Sequence, residues 1–144
     1  MSGPLEGIRV LDIATILAAP LAGTMMADFG AEVVKAELPG TGDGLRSFPP
    51  FKDGKSVWWK AANRNKKFIT LDLRKPEGAE LLLRMIPKFD VLLENFRTGT
   101  LARWGLDKET LWKANPNLII LRATAFGQTG PYANKPGFAR IFEA

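Results

Sequence analysis

The feature of this sequence that most restricts its fold is a regular alternation of short apolar runs with helix-forming segments. Five runs are predicted to be strands; they cover residues 8–13, 32–37, 68–73, 91–93 and 118–126. The first of them is nearly continuously apolar, as in strands that are buried on both faces. Strands that alternate with helices predict an α/β fold. We therefore expect a Rossmann-like, doubly wound and mainly parallel sheet.

The segments between the runs carry residues that begin and end helices. Pro20 fits the first turn of one helix, and Gly30 fits its end. Three large apolar residues share one face of this helix: Leu21, Met25 and Phe29. A second helix is predicted to begin at Pro76, and a short third one covers about 107–114. Residues 38–56 are rich in Gly and Pro and predict a long irregular loop near a ligand.

The composition limits the chemistry and the setting. The 144 residues are 46% hydrophobic and contain no Cys and no His, which removes disulfides, thiolate nucleophiles, zinc clusters and imidazole bases. A carboxylate remains able to attack an activated acyl group. We expect one domain over residues 1–144, without a metal site and without a permanently bound cofactor. With no apolar run near the roughly 20 residues that span a bilayer, we expect a cytoplasmic protein without a membrane partner.

The positive charge is concentrated in one segment. Residues 51–75 contain eight basic and two acidic residues, whereas the whole chain carries a net charge of +5. Within this segment Trp58 and Trp59 could fold into the core of a helix while Arg64, Lys66 and Lys67 approach phosphates. Aromatic residues interleaved with basic ones could also bind single-stranded nucleic acid, but the chain matches none of the common nucleic-acid folds. We expect no nucleic-acid partner.

The stretch from 90 to 103 is the strongest indication of a ligand site. A buried strand ends here in an amide, an aromatic ring and two guanidinium groups: Asn95, Phe96, Arg97 and Arg103. Ligands of open α/β sheets bind at the carboxyl ends of the strands, and paired arginines suit phosphates. The stretch therefore predicts a nucleotide-like ligand, with Arg97 and Arg103 facing a common cleft.

Two glycine-rich segments have different meanings. Gly40, Gly42 and Gly44 do not form a dinucleotide fingerprint, because the following residues cannot open the required helix. Residues 127–137 follow the fifth strand directly. Their position at a carboxyl strand end favours ligand contact over an ordinary turn.

The order of several motifs resembles that of the family III CoA-transferases, which also include α-methylacyl-CoA racemases. The resemblance runs from Pro4 to the last residue and rests on PLEGIRVLDI, the Ala18-Ala19-Pro20 turn, GAEVVKAE with GTGD, NRNKKFITLDLR with KPEG, ENFRTGTLARWG and FGQTGPYANKPG. It implies that the chain is the N-terminal portion of a longer protein, which transfers coenzyme A between an acyl-CoA and a small carboxylic acid.

In that family an aspartate attacks the acyl-CoA thioester and forms a mixed anhydride, which CoA converts into an enzyme thioester. The resemblance places this nucleophile beyond Ala144, and none of the seven aspartates of the chain occupies its position. We therefore expect no catalytic residue here and an inactive isolated chain. The resemblance also implies an interlocked homodimer for the longer protein.

The resemblance assigns the contacts with CoA, as a substrate, to ten residues of this chain: Leu17, Ala18, Leu71, Asp72, Leu73, Arg74, Asn95, Phe96, Arg97 and Arg103. The chain departs from some family members at two positions: Leu38, which concerns the adenosine end of CoA, and Leu17, which concerns its thioester end. Some transferases carry an arginine at the position of Leu38 and a glutamine at the position of Leu17.

Two other functions remain open. The racemases use a histidine at the position of Phe138, which cannot move a proton, so the sequence favours a transferase over a racemase. A third possibility is a non-catalytic module that binds CoA or nucleic acid.

Overall fold

A computed structural model describes residues 3–137. Its main sheet has five strands: β1 (Arg9–Asp12), β2 (Glu32–Glu37), β5 (Lys66–Thr70), β6 (Val91–Glu94) and β7 (Ile119–Arg122). They lie in the order β5-β2-β1-β6-β7, and all neighbours are parallel. This is the Rossmann order 3-2-1-4-5, so the predicted fold class is confirmed. The short strands β3 (Phe51–Lys52) and β4 (Lys55–Ser56) form a separate antiparallel hairpin.

Five helices connect the strands. They are α1 (Ala18–Asp28), α2 (Val57–Ala62), α3 (Pro76–Met85), α4 (Thr100–Arg103) and α5 (Lys108–Ala114). Single 3-10 turns cover Gly44–Ser47 and Ile86–Lys88. No helix in the described part of the chain is long and apolar enough to cross a membrane.

The core lies on both faces of the sheet, because successive strand residues point to opposite sides. Leu11 and Leu92 belong to a large cluster that also includes Leu82 of α3 and Leu111 of α5. A smaller cluster on the α1 side contains Ala27 together with residues of β1, β2 and β6: Val10, Val33, Val91 and Leu93. Apolar residues on both faces of each central strand explain the nearly continuous apolar runs of the sequence.

The large apolar residues predicted on one face of the first helix lie on its outer surface. Leu21, Met25 and Phe29 are exposed, whereas small residues of α1 are buried against the sheet and α2: Ala19, Gly23, Thr24 and Ala27. Small side chains let a helix approach a sheet closely, so the buried face is the less hydrophobic one. Strand β5 begins at residue 66 rather than at the predicted residue 68, since Lys66 and Lys67 pair with Val33 and Val34 of β2.

Candidate functional site

Two adjoining clefts open at the carboxyl edge of the sheet. The smaller, of about 200 Å³, lies beside the ends of β2 and β5, and the larger, of about 820 Å³, lies beside the ends of β1, β6 and β7. Thr15 and Phe96 line both clefts. The strand order reverses between β1 and β6, and this reversal point is where open α/β sheets bind ligands.

Nine of the ten residues predicted to contact CoA line these clefts. The smaller cleft contains Leu71, Asp72, Leu73, Arg74 and Phe96. The larger contains Leu17, Ala18, Asn95, Phe96 and Arg97. Residues that are up to 80 positions apart in the sequence therefore lie in one continuous depression.

An ion pair between Arg74 and Asp72 lies in the wall of the smaller cleft. The Arg74 guanidinium donates from Nε and Nη2 to the two carboxylate oxygens of Asp72, both at 2.8 Å. The side-chain hydrogen bond from Arg74 lowers the pKa of Asp72 to about 2. Two of the N–H donors of Arg74 at the rim of the smaller cleft are therefore already bonded to Asp72. Leu38 lines the same cleft where some transferases have an arginine.

Phe96 lies where the clefts meet and is fixed from two sides. Its ring packs edge-on against Trp104, with 5.1 Å between the ring centroids. Its backbone N–H donates to the carboxylate of Glu94 at 2.8 Å, and Arg122 donates to the same carboxylate at 2.9 Å. Burial raises the pKa of Glu94 in this position. The aromatic ring between the clefts is therefore held rigidly by the end of β6.

Asn95 joins the loop after β1 to the end of β6. Its Oδ1 accepts the backbone N–H of Thr15 at 2.8 Å, and its Nδ2 donates to the carbonyl oxygen of Thr15 at 2.7 Å. The amide that the sequence predicts as a ligand contact thus satisfies the backbone of the β1–α1 loop.

The larger cleft is apolar with a cationic side. Phe48 and Trp58 pack together on one side with 6.0 Å between ring centroids. Arg97 and Lys135 are the charged members of the lining, and no carboxylate of the described chain joins them there. Lys135 belongs to the glycine-rich segment after β7, so part of that segment lines the cleft, and its contact with a ligand stays a prediction. Such a cleft suits an anionic ligand with apolar parts.

Arg103 is the predicted contact that lies outside the lining of both clefts. It is exposed at the end of α4, and its Nη2 donates to Thr100 Oγ1 at 3.0 Å. Arg97, by contrast, is exposed within the larger cleft. The structure therefore brings one of the two predicted guanidinium groups to the cleft.

Lys66 has a role that the sequence prediction missed. Its Nζ is buried and donates to Asp12 at 2.8 Å, to the Pro20 carbonyl oxygen at 2.6 Å and to Asn63 at 3.1 Å. Burial lowers the pKa of Lys66, which the neighbouring carboxylate of Asp12 partly opposes. The expectation that Lys66 approaches a phosphate is wrong, because all its donors are used inside the protein.

Lys35 continues this buried network toward the smaller cleft. Its Nζ lies 2.9 Å from the carboxylate of Asp43 and 3.7 Å from that of Asp12, and it donates to the Ala14 carbonyl oxygen at 2.7 Å. A signal existed in the sequence, because a lysine within the apolar run of β2 must find a buried partner. The partner itself, in a distant loop, could not be identified from that signal.

Other members of the basic segment are also paired with carboxylates. Arg64 forms an ion pair with Asp28, and Lys67 forms one with Glu32 at 2.7 Å. These pairs reduce the positive surface on which a nucleic-acid interface would depend. Among the described residues, no group of His, Cys, Asp and Glu has the arrangement of a metal site. Phe138, which bears on the racemase alternative, lies outside the described residues.

The sequence matches known proteins over almost its whole length. A model of CoA-transferase family III matches residues 5–144. The chain is 51% identical over 142 residues to "Succinyl-CoA--D-citramalate CoA-transferase" of Chloroflexus aurantiacus and 46% identical over 147 residues to "Succinate--glutarate CoA-transferase" of Agrobacterium fabrum. These alignments cover 98% and 97% of this chain. The chain spans only 35% and 37% of the length of these curated relatives.

Solved structures give the same result for the fold. A CAIB/BAIF family protein from Brucella suis superposes with a TM-score of 0.92 and 40% identity, covering 99% of this chain and 39% of its own. A hypothetical protein of Mycobacterium tuberculosis superposes with a TM-score of 0.85 and 41% identity, covering 94% of this chain and 37% of its own. The family predicted from the motifs is confirmed: this chain belongs to CoA-transferase family III.

Proposed function

We propose that this chain supplies the CoA-binding part of an enzyme that transfers coenzyme A between an acyl-CoA and a small carboxylic acid. The observation that carries the proposal is the pair of adjoining clefts at the reversal point of the sheet, lined by nine residues expected to contact CoA. Membership of the transferase family supports the same ligand.

The dimensions and charges of the clefts suggest an orientation for CoA. The smaller cleft offers Phe96 and Trp104 as apolar walls and Arg74 at its rim, which suits the nucleotide end. The larger cleft, with Arg97 and Lys135, offers space for the pantetheine arm and the acyl group. Arg103 then serves phosphates at the outer surface, where its exposed guanidinium can reach solvent-facing oxygens.

The family mechanism would require a residue outside this chain. We propose that an aspartate beyond Ala144 attacks the thioester carbonyl, which releases the CoA thiolate and leaves an aspartyl acyl anhydride. The thiolate then attacks the aspartyl carbonyl, which frees the first acid and gives an enzyme thioester. The acceptor carboxylate then attacks the enzyme thioester, which releases the CoA thiolate and leaves a new aspartyl acyl anhydride. The thiolate attacks the acyl carbonyl of this anhydride, so the acceptor leaves as its CoA ester and the aspartate is regenerated. The isolated chain would bind CoA without turning it over.

The relatives suggest the class of acid. Their names pair succinyl-CoA or succinate with citramalate, malate or glutarate, and all of the acids named are dicarboxylic. We propose a dicarboxylic acid for this protein too, since a cationic cleft without a carboxylate tolerates a second negative charge. A homodimer of the full-length protein and a cytoplasmic location complete the proposal.

Isothermal titration calorimetry with CoA tests the proposal directly. Arg97→Ala should weaken binding about tenfold or more, because a hydrogen bond to a charged group contributes about 1.5–3 kcal/mol. Arg103→Ala should also weaken the binding of CoA. Arg84→Ala removes an exposed guanidinium on α3 outside both clefts and serves as the matched control. Tight binding of a single-stranded oligonucleotide without any response to CoA would contradict the proposal.

A further inference from the structure

The loop that lines the larger cleft contains a strained residue. Ile16 has a φ of 64°, in the left-handed region that β-branched residues avoid. It lies between β1 and α1, and its neighbours Leu17 and Ala18 line the same cleft. Residues held in such conformations cluster at ligand sites, and they persist only where surrounding contacts enforce them.

The contact that enforces this conformation comes from Asp43 in the glycine-rich loop. Its two carboxylate oxygens accept the Ile16 N–H at 2.9 and 3.1 Å. One of them also accepts the Leu45 N–H at 2.8 Å, which caps the 3-10 turn that follows. Asp43 is buried, with 4% of its surface exposed, in the wall of the smaller cleft.

Asp43 is held in turn by the buried cation of β2. Lys35 Nζ lies 2.9 Å from Asp43 Oδ2, and neither side chain is exposed by more than 1%. Lys35 also donates to the Ala14 carbonyl oxygen, two residues before Ile16. Lys35 therefore donates to the β1–α1 loop at Ala14, while Asp43 accepts from the same loop at Ile16.

We infer that Asp43, oriented by Lys35, is a positioning residue that keeps the Ile16–Ala18 loop in the conformation that receives CoA. The inference rests on the proposed function, in which this cleft takes the pantetheine arm. Without Asp43, Ile16 relaxes toward negative φ, and the wall formed by Leu17 and Ala18 moves with it. The binding-competent loop then becomes a minor population, and the apparent affinity falls by that fraction.

A double-mutant cycle on the full-length protein tests the inference by calorimetry with CoA. Asp43→Ala should raise the Kd about tenfold or more. Ile16→Gly adopts a positive φ without a steric cost, so it should remove most of the need for Asp43. In the Ile16→Gly background, Asp43→Ala should therefore change the Kd by no more than about threefold. If Asp43→Ala does not fold, Asp43→Asn, which retains one acceptor oxygen, takes its place in the cycle with a smaller effect.

The control is Asp107→Ala, which removes the carboxylate that accepts the Thr110 N–H at the start of α5, outside both clefts. It should lower the melting temperature and leave the Kd unchanged. Equal effects of Asp43→Ala on the Kd with and without Ile16→Gly would overturn the inference, since a general structural role predicts no coupling. Failure of the wild-type protein to bind CoA would instead refute the proposed function.

Discussion

Replacing Gly78 by alanine tests how closely α3 must approach the chain that leaves β5. A Cβ atom built on Gly78 would overlap the carbonyl oxygen of Asp72 and lie 2.8 Å from its carbonyl carbon. Both atoms belong to the backbone and cannot rotate away. Reaching an ordinary carbon–carbon contact of about 3.5 Å requires α3 or the Asp72 backbone to move by roughly 1 Å.

Two opposing effects determine how Gly78→Ala changes the free energy of unfolding. Alanine is favoured over glycine in a helix by about 0.5–1 kcal/mol. Overpacking of this kind costs about 1–3 kcal/mol and occasionally more. Because the obstacle is backbone, we expect the upper part of that range, and hence a net loss of about 2 kcal/mol. For a chain of this size that corresponds to a melting temperature lower by about 6 °C.

The assay is thermal and urea denaturation, followed by CoA titration of the folded variant. Since Asp72 and Leu73 line the smaller cleft, the displacement should also weaken CoA binding. Gly23→Ala in α1 is the matched control, because the three atoms nearest to its Cβ belong to side chains, with Leu93 Cδ1 closest at 3.0 Å. It should change the melting temperature far less. A Gly78→Ala protein as stable as the wild type would show that the packing argument is wrong.

Two further predictions concern ionised groups. The pKa of Asp72 is lowered from 3.8 to about 2, so its contribution to stability is complete above pH 3.8 and is lost as the pH falls toward 2. Urea titrations should show that the free energy of unfolding falls less steeply with decreasing pH in Asp72→Asn than in the wild type. An equal pH dependence in the two proteins would contradict the role of Arg74. Lys66→Met leaves the carboxylate of Asp12 buried with the Ala14 N–H at 3.1 Å and Lys35 at 3.7 Å, and it should lower the free energy of unfolding by about 3–5 kcal/mol. The double variant with Asp12→Leu should recover much of that loss, and no recovery would refute the pairing.

Much of the fold could be predicted because the central strands have a strong local signal. The runs that form β1 and β6 are nearly continuously apolar, which together with the alternating helices is typical of a parallel sheet covered on both faces. The end of β5 was less predictable. Leu71 and Leu73 continue the apolar pattern of the strand, but they leave the sheet to form a cleft wall. Local pattern cannot distinguish an apolar residue of a strand from one that lines a cavity.

The candidate site was predictable where motifs carried it and unpredictable where distant charges met. Arg97 and Phe96 follow a strand end directly, and the sheet geometry places every such end at one edge. The pairing of Asp43 with Lys35 and of Lys66 with Asp12 joins segments up to 54 residues apart. A basic residue in the sequence suggests a solvated or phosphate-binding side chain unless its partner is known. Tertiary contact alone reveals that partner.

The position of β1 in the middle of the sheet has a consequence for how the protein is made. Val10 pairs with Val33 on one side and with Val91 on the other. On the ribosome, the half that contains β2 and β5 can assemble early, whereas the other side of β1 stays open until the nascent chain has released β6. During that interval a chaperone has a defined surface to protect, namely the unpaired edge of the earliest strand.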